Sequence, residues 1–262
     1  MAEPDAREVA VLFGLGQPSG KLELAARGQQ NSFGVHRLQT DRGCYAVKQF
    51  DVPPSSAALA VEAAAFQAGL PLPEPIKTNA GDFAASLQVD GQRRWLRVYR
   101  WVTGTAMPWG LVDPEISFEI GSLMAAVHLL PVPESELSEP PWLPLTESGW
   151  IELASRAKAQ GVAWTKDLKH AVPSLLKQEE FLVVNSFEGE ARVPSHRDLH
   201  PPNIIKSTHS KLCVVDWDAA GTVVGRHDVA NFALVWATPE GNDPNPAAVH
   251  AFIDGYRKGG GQ

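Results

Sequence analysis

The chain has 262 residues, a formal charge of −7 and the composition of a globular protein, with 44% hydrophobic and 20% charged residues. The acidic balance and the lack of any basic run argue against nonspecific binding to nucleic acid. No segment approaches the roughly 18 apolar residues of a membrane span, and the acidic N-terminus with its short apolar run is unlike a signal peptide.

Cysteine usage points to a reducing compartment. The only cysteines are Cys44 and Cys213, and neither belongs to a CxxC pair, so a disulfide framework or a structural zinc site is not supported. We expect a cytoplasmic protein without membrane or nucleic-acid partners, either a monomer or a homodimer.

The first hundred residues predict strands around one helix. Short β-prone runs occupy 22–27, 32–40 and 44–50, and Asp90-Gly91 predicts a hairpin between 83–89 and 93–102. Between these pairs of strands, an alanine-rich segment with a serine N-cap predicts a helix that ends near Ala68, before Gly69 and Pro71.

The second part of the chain changes to helical patterns. Asp113-Pro114 predicts the start of a helix that runs to about Leu130, and a connector at 131–147 precedes helical stretches at 148–160 and 165–180. The tail beyond Gly225 is also helical in pattern. The sequence thus predicts an α+β protein with a β-rich N-terminal lobe (1–100), a short connection near 99–104 and a mostly helical C-terminal lobe (101–262).

A lysine and a glutamate stand out in the N-terminal part. Strand alternation places Lys48 on one face with Phe50, while Glu62 is the only charged residue of the following helix and shares a face with Phe66. A carboxylate on the apolar side of a buried helix is costly unless it is paired. We therefore predict a Lys48–Glu62 ion pair that presents an ammonium group to phosphate oxygens. The alternative is a lysine at a solvated strand edge.

The segment 27–35, "RGQQNSFGV", lies between two predicted strands and contains two glycines. As a turn over a nucleotide, it would offer backbone N–H groups near Asn31 and Ser32 to phosphate oxygens. An ordinary hairpin loop is an equally good interpretation of this segment.

The segment 195–205, "SHRDLHPPNII", carries the strongest signal. Asp198 and Asn203 are 5 residues apart, and Asp216 follows Asn203 by 13 residues at the end of an apolar run. This spacing matches a kinase catalytic loop and the metal-binding aspartate after it, in which an Asp orients the acceptor hydroxyl while an Asn and a second Asp hold magnesium. A transition-metal cluster of His196, Asp198 and His200 is disfavoured, because two prolines end any strand there at once.

Together these residues give the chain a family resemblance. It resembles the aminoglycoside phosphotransferases and choline kinase-like small-molecule kinases, which are relatives of the protein kinases, over about residues 20–236. The resemblance rests on the loop 196–203, "VVDWDAAG" (214–221), Lys48 with Glu62, and "LMAAVHLL" (123–130), which contains His128. Asp228 looks like a later structural aspartate of this group, and we expect His128 to be a core residue.

The resemblance implies a bilobal protein kinase-like fold and a phosphotransferase that uses ATP and Mg²⁺ on a small molecule. Asp198 would accept or orient the proton of the acceptor hydroxyl, and Asn203 and Asp216 would hold the metal. Lys48, braced by Glu62, would bind phosphate oxygens. The adenine would contact backbone near Arg100 and Val102.

The acceptor is the most open question. No Lys or Arg occurs between Gly110 and Ser155, whereas eight acids do, which indicates either a solubilising surface or a wall that attracts a cation. Tryptophans in or near this stretch would suit sugar rings or a quaternary ammonium: Trp109, Trp142, Trp150 and Trp164. We expect an aminoglycoside-type or amino-sugar acceptor. A metabolic kinase for choline, a sugar or a sugar alcohol, and a pseudokinase that only binds nucleotide, are the alternatives.

Overall fold

The computed structural model describes residues 3–26, 32–133, 146–184, 192–207 and 211–262, and for residues 32–33 and 179–184 it describes the backbone. The chain forms two compact units, one made of Met1–Ser138 with Val193–Gln262 and the other of Glu139–Arg192. The lobe boundary that the sequence predicts near residue 100 falls inside the first unit and stays a prediction.

An antiparallel sheet dominates the N-terminal part of the first unit. Its six strands are β1 (Glu23–Ala26), β2 (Ser32–Thr40), β3 (Gly43–Phe50), β4 (Pro75–Ile76), β5 (Ala85–Val89) and β6 (Gln92–Arg100). Their order is β1-β2-β3-β6-β4, and β5 also pairs with β6. The hairpin predicted at Asp90-Gly91 joins β5 to β6, and both residues have a positive φ, as such a two-residue turn requires.

A short N-terminal helix, α1 (Ala6–Leu12), packs on one side of this sheet and was not predicted from the sequence. Asp5 caps the helix by accepting hydrogen bonds from the backbone N–H groups of Arg7 and Glu8. Val9 and Phe13 pack into a core with Leu38, Val47 and other buried residues of the sheet. Seven residues are too few to show a helical period clearly, so tertiary packing decides this element.

The helix predicted after β3 is α2 (Ser56–Gln67), and Ser55 is its N-cap, as expected. Its apolar residues Ala58, Val61 and Ala65 join the large core of the first unit. Glu62 is buried on this helix, as predicted, whereas Phe66, which was predicted to share its face, is exposed.

The C-terminal part of the first unit is built on three helices, α3 (Pro114–His128), α6 (Gly225–Val235) and α7 (Pro246–Lys258). Asp113 caps α3 with Pro114 at its first position, as predicted. The backbones of α3 and α7 approach so closely that a Cβ atom at Gly121 would collide with the carbonyl of Phe252. Glycine is required there because it alone lacks that atom.

Two small sheets carry the segments that flank the motif 195–205. One has the order β10-β9-β7, formed by Leu212–Val214, Ile204–Ser207 and Gly104–Ala106. The other pairs β11 (Gly221–Val224) with β8 (Arg192–Ser195). The motif thus leaves one strand and enters another, with a turn of 3₁₀ helix at Pro201–Asn203 between them.

The second unit contains two described helices, α4 (Glu147–Ala159) and α5 (Thr165–Val184). Thr146 caps α4, and Pro173 lies inside α5, where it removes one backbone hydrogen bond. Both helices were predicted. In the part of the chain that the structure describes, no helix has both the length and the apolar character needed to cross a bilayer.

Candidate active site

Lys48 on β3 reaches the segment that follows β10. Its ammonium donates a 2.5 Å hydrogen bond to Oδ1 of Asp216 and forms a second ion pair with Oδ2 of Asp218. The lysine side chain is only 10% exposed, so these contacts form in a sheltered environment. The lysine is therefore no solvated edge residue.

Glu62 is not the partner of Lys48, and this sequence-based prediction was wrong. The glutamate forms its ion pair with the guanidinium of Arg97, which lies on β6 and also contacts Oδ1 of Asp218 at 3.3 Å. Lys48 and Arg97 are directly opposed in the register of β3 and β6, so both side chains leave the same face of the sheet. Glu62 thus pairs with Arg97, while Lys48 pairs with Asp216 and Asp218.

Asp198 lies at the centre of a network of hydrogen bonds within its own loop. The amide nitrogen of Asn203 donates to its backbone oxygen and to Oδ2, each over 2.8 Å. Nδ1 of His200 lies 2.5 Å from Oδ1. The carboxylate is thus held in place while its side chain stays 41% exposed and accessible to a substrate.

A buried polar network supports the start of this loop. Oγ of Ser195 accepts from the backbone N–H of Arg197 and donates to Oδ2 of Asp228. His128 connects the same carboxylate to the hydroxyl of Tyr256, with ring-nitrogen distances of 3.2 and 2.9 Å. His128 is therefore a hydrogen-bonded core residue, as the sequence predicts.

The loop 196–203 is also hydrogen-bonded directly to the segment of Asp216. The backbone N–H of Val215 donates to the carbonyl of Asn203, and Nε2 of His196 lies 3.0 Å from the carbonyl of Val215. Asp216 has a left-handed backbone with φ of 66°, which is uncommon outside glycine. Such a conformation persists only where the surroundings hold it, and it is frequent at functional sites.

Burial and charge act in opposite directions on the ionisable groups here. Burial tends to raise the pKa of Asp216, but the charge and hydrogen bond of Lys48 outweigh it, so the pKa lies below the ordinary value. For Asp218, burial raises the pKa, and together with the charge of Asp216 it outweighs the lowering by Lys48. Burial tends to lower the pKa of Lys48, yet the two aspartates raise it, so the lysine is firmly cationic.

The oxygen atoms present suit a hard cation. The amide nitrogen of Asn203 donates to Asp198, so a metal would be bound by the side-chain carbonyl oxygen of Asn203 and by the carboxylate of Asp216. Within the described ranges, no three His, Cys, Asp or Glu side chains are grouped as ligands of a metal ion. One or two carboxylates completed by substrate phosphates and water are the usual ligands of magnesium, and the residues present fit that ion.

The predicted nucleotide contacts are only partly described. Asn31 lies outside the described residues, and Ser32 is seen as the first backbone position of β2. Arg100 ends β6, where its exposed side chain donates to the hydroxyl of Tyr45 over 3.2 Å. Val102 follows in the half-buried connection to β7. The adenine contacts expected there stay predictions.

Arg97 and Asp218, which form ion pairs with Glu62 and Lys48, were assigned no role from the sequence. The available signal was the charge of Arg97 between the buried residues Leu96 and Val98 on a central strand. A buried arginine of this kind requires carboxylate partners. Its partners come from two distant segments, so the sequence did not indicate which acids they are.

Some acids of the segment 110–155 stabilise the starts of helices. Asp113 accepts a hydrogen bond from the backbone of Glu115, both at the start of α3, and Glu147 lies in the first turn of α4. Acids at these places stabilise helices by interacting with the positive end of the helix dipole. Glu134, Glu136 and Glu139 lie outside the described residues.

A lysine on the N-terminal sheet, an Asp–Asn loop and an aspartate after the next hairpin define a phosphotransferase of the protein kinase-like fold. The chain belongs to the phosphotransferase enzyme family (APH), whose model matches residues 22–261. It is accordingly a small-molecule kinase, a phosphotransferase with an alcohol group as acceptor.

Solved structures share this fold at low sequence identity. A spectinomycin phosphotransferase, APH(9)-Ia, bound to ADP and spectinomycin, has a TM-score of 0.71 at 15% identity, with 96% of this chain and 78% of that chain covered. The amicoumacin kinase hAmiN gives 0.66 at 15% identity, with coverages of 96% and 76%. The choline kinase LicA from Streptococcus pneumoniae gives 0.58 at 15% identity, with coverages of 95% and 78%. The curated proteins contained no significant match.

Proposed function

We propose that this protein transfers the γ-phosphate of ATP, with magnesium, to a hydroxyl group of a small cationic molecule. The observation that carries the proposal is a continuous set of contacts between the predicted residues. Lys48 binds Asp216, the neighbouring Val215 binds Asn203, and Asn203 binds Asp198. These contacts bring together a cation (Lys48), two metal ligands (Asn203 and Asp216) and a proton acceptor (Asp198), which are the groups that phosphoryl transfer requires.

Each residue then has a defined task. Lys48 neutralises phosphate oxygens, and Asn203 and Asp216 hold the metal. Magnesium held by these two side chains would offset the negative charge of the phosphate oxygens. Asp198 orients the acceptor hydroxyl and receives its proton, while the new O–P bond forms and the bond between the γ-phosphorus and the β–γ bridging oxygen breaks. Adenine contacts at the backbone near Arg100 and Val102 belong to this proposal, as do phosphate contacts near Asn31 and Ser32.

An aromatic surface beside Asp198 supports a cationic or ring-shaped acceptor. Trp109 is 57% exposed, and its ring centroid lies 5.0 Å from the ring of His200, which in turn contacts Asp198. An exposed tryptophan face attracts ammonium groups and stacks on sugar rings. The net charge of −7 also favours positively charged ligands at long range.

Metabolic kinases that act on choline-like or amino-alcohol substrates share this chemistry, and the structural neighbours include both a choline kinase and an aminopropanol kinase. A pseudokinase is disfavoured, because Lys48, Asp198, Asn203 and Asp216 are all present and in contact through the loop.

The proposal is tested by measuring ATP consumption across four groups of acceptors: aminoglycosides, amino sugars, choline-like amino alcohols and neutral sugar alcohols. We expect turnover with a cationic acceptor that depends on magnesium. Turnover only with neutral or anionic acceptors would remove the cationic part of the proposal. Nucleotide binding without turnover on any acceptor would favour the pseudokinase.

Trp109→Ala tests the acceptor side separately. We expect it to raise the KM of the acceptor several-fold, consistent with about 0.5–2 kcal/mol for a cation–π contact, while the KM of ATP stays the same. Leu129→Ala is the control, because Leu129 is an exposed apolar residue at the C-cap of α3. Trp109 precedes this helix, which is about 22 Å long. An unchanged acceptor KM in Trp109→Ala would exclude this aromatic surface.

A further inference from the structure

Two cations face each other across β3 and β6. Lys48 and Arg97 are directly opposed in register and share one face of the sheet, and both are buried. Like charges at such positions destabilise a sheet unless carboxylates separate them. Glu62, Asp216 and Asp218 form ion pairs with these two cations. Which acid pairs with which cation therefore decides whether Lys48 or Arg97 is available to bind phosphate.

Asp218 bridges the two cations. Its Oδ2 binds Lys48 and its Oδ1 lies 3.3 Å from Arg97, whereas Glu62 pairs with Arg97. The side chain of Arg97 is 1% exposed, so its contacts are not shared with bulk water. A guanidinium has several donors in a fixed plane and is able to hold two carboxylates from different elements at once, which an ammonium on a flexible stem does less well.

The position of Asp218 affects Asp216, the predicted metal ligand two residues before it. Asp218 follows Asp216 by two residues inside one turn of 3₁₀ helix, Trp217–Ala219, and Asp216 has a left-handed backbone. Anchoring Asp218 therefore restricts the orientation of the Asp216 carboxylate, and a strained backbone of this kind has to be held by its surroundings.

We propose that Arg97 is a positioning residue of the phosphotransferase site, which couples Glu62 on α2 to the metal-binding segment through Asp218. This inference rests on the proposed function and deepens it. Arg97, and not Lys48, is the partner of Glu62. The ammonium of Lys48 is therefore available to release the carboxylates of Asp216 and Asp218 and to bind phosphate oxygens instead. Arg97 itself does not touch the reacting groups.

The competing explanation is a buried ion pair with only a structural role. Replacing both members of such a pair by apolar residues of similar volume is often neutral or stabilising, whereas removing one member is strongly destabilising. The double variant Glu62→Met/Arg97→Met therefore keeps the fold while it removes the coupling. Arg97→Lys keeps the charge but lacks the planar fork. Arg93→Gln is a matched control, since Arg93 is an exposed arginine on the same strand.

The experiment measures the unfolding temperature of each variant without ligand and the affinity for ADP by calorimetry, over a range of magnesium concentrations. In the double variant we expect an unfolding temperature near that of the wild type, but ADP affinity in saturating magnesium at least about ten-fold weaker and a higher magnesium midpoint. ADP affinity without magnesium should change much less. Arg97→Lys should show the same loss in smaller measure, and Arg93→Gln none.

The outcomes separate this inference from the proposed function. If the wild type binds ADP in a magnesium-dependent way and a folded double variant matches it, the pair is only structural and the inference is overturned. If the double variant does not fold, Arg97→Lys decides, and a wild-type magnesium midpoint there overturns it equally. If the wild type itself shows no magnesium-dependent binding of ADP, the proposed function fails and the inference falls with it.

Discussion

Nδ1 of His200 lies 2.5 Å from Oδ1 of Asp198, and Asn203 holds the other carboxylate oxygen. Both oxygens of Asp198 are therefore oriented by side chains of its own loop. A proton acceptor needs such fixed geometry more than it needs an unusual proton affinity, because phosphoryl transfer is dominated by positioning and electrostatics.

Asp198→Ala should lower turnover by roughly 10²–10⁴, the range for a positioned proton acceptor, with little effect on ADP affinity. Steady-state kinetics and a binding titration on the same preparation test this. Asp254→Ala, at an exposed position on α7, serves as the control and should behave like the wild type. Near wild-type turnover in Asp198→Ala would remove this residue from the mechanism.

Asp216→Ala should abolish the magnesium dependence of nucleotide binding, because the variant loses a carboxylate ligand and Lys48 loses its partner at 2.5 Å. Titration of magnesium at fixed ADP measures the effect. The exposed residue Asp243 provides the control variant Asp243→Ala. An identical magnesium midpoint in Asp216→Ala and wild type would mean that the metal is held elsewhere.

His128→Phe should lower the free energy of unfolding by about 1–3 kcal/mol, since it leaves Asp228 and the hydroxyl of Tyr256 with one hydrogen bond fewer in a buried site. Urea denaturation followed by circular dichroism measures this loss. His250→Phe, at an exposed position of α7, should be close to neutral. Equal stability of the two variants would show that the buried network contributes little.

His36 should make the protein less stable in mild acid. Burial lowers its pKa below the usual 6.5, and the contact with Glu3 at 3.5 Å only partly offsets this. The unfolded chain therefore binds more protons than the folded one as the pH falls below 6.5, and the free energy of unfolding decreases through that range.

The variant His36→Gln isolates this contribution. The difference in unfolding free energy between pH 7.5 and pH 5.5 should be smaller in His36→Gln than in the wild type. His250→Gln should leave that difference unchanged. An equal pH dependence in wild type and His36→Gln contradicts the assignment.

The KM of a cationic acceptor should rise between low and high ionic strength while kcat changes little. Attraction by exposed carboxylates is screened beyond about 10 Å at 0.1 M salt, so the effect belongs to binding and not to the chemical step. Initial rates at several concentrations of sodium chloride measure it, with ATP saturating. A salt-independent KM would return the acids of 110–155 to a solubilising role.

The sequence by itself determined most local features of the fold. Ser55 and Asp113 start helices where capping residues predict them, and Asp90-Gly91 turns the hairpin before β6, because these signals act over only a few residues. The spacing of Asp198, Asn203 and Asp216 likewise indicated the family, since a loop and a short hairpin fix how these groups meet.

Only the tertiary structure decided which charges pair. Lys48 and Glu62 are close in sequence and complementary in charge, yet they do not pair. The register of β3 against β6 places Arg97 opposite Lys48, and Asp218 contacts both of these cations. Helix α1 is another case, because its short apolar pattern gains its stability from the sheet on which it packs. Ion pairs and packing depend on distances through space, and a pattern along the chain specifies those only where the segments involved are adjacent.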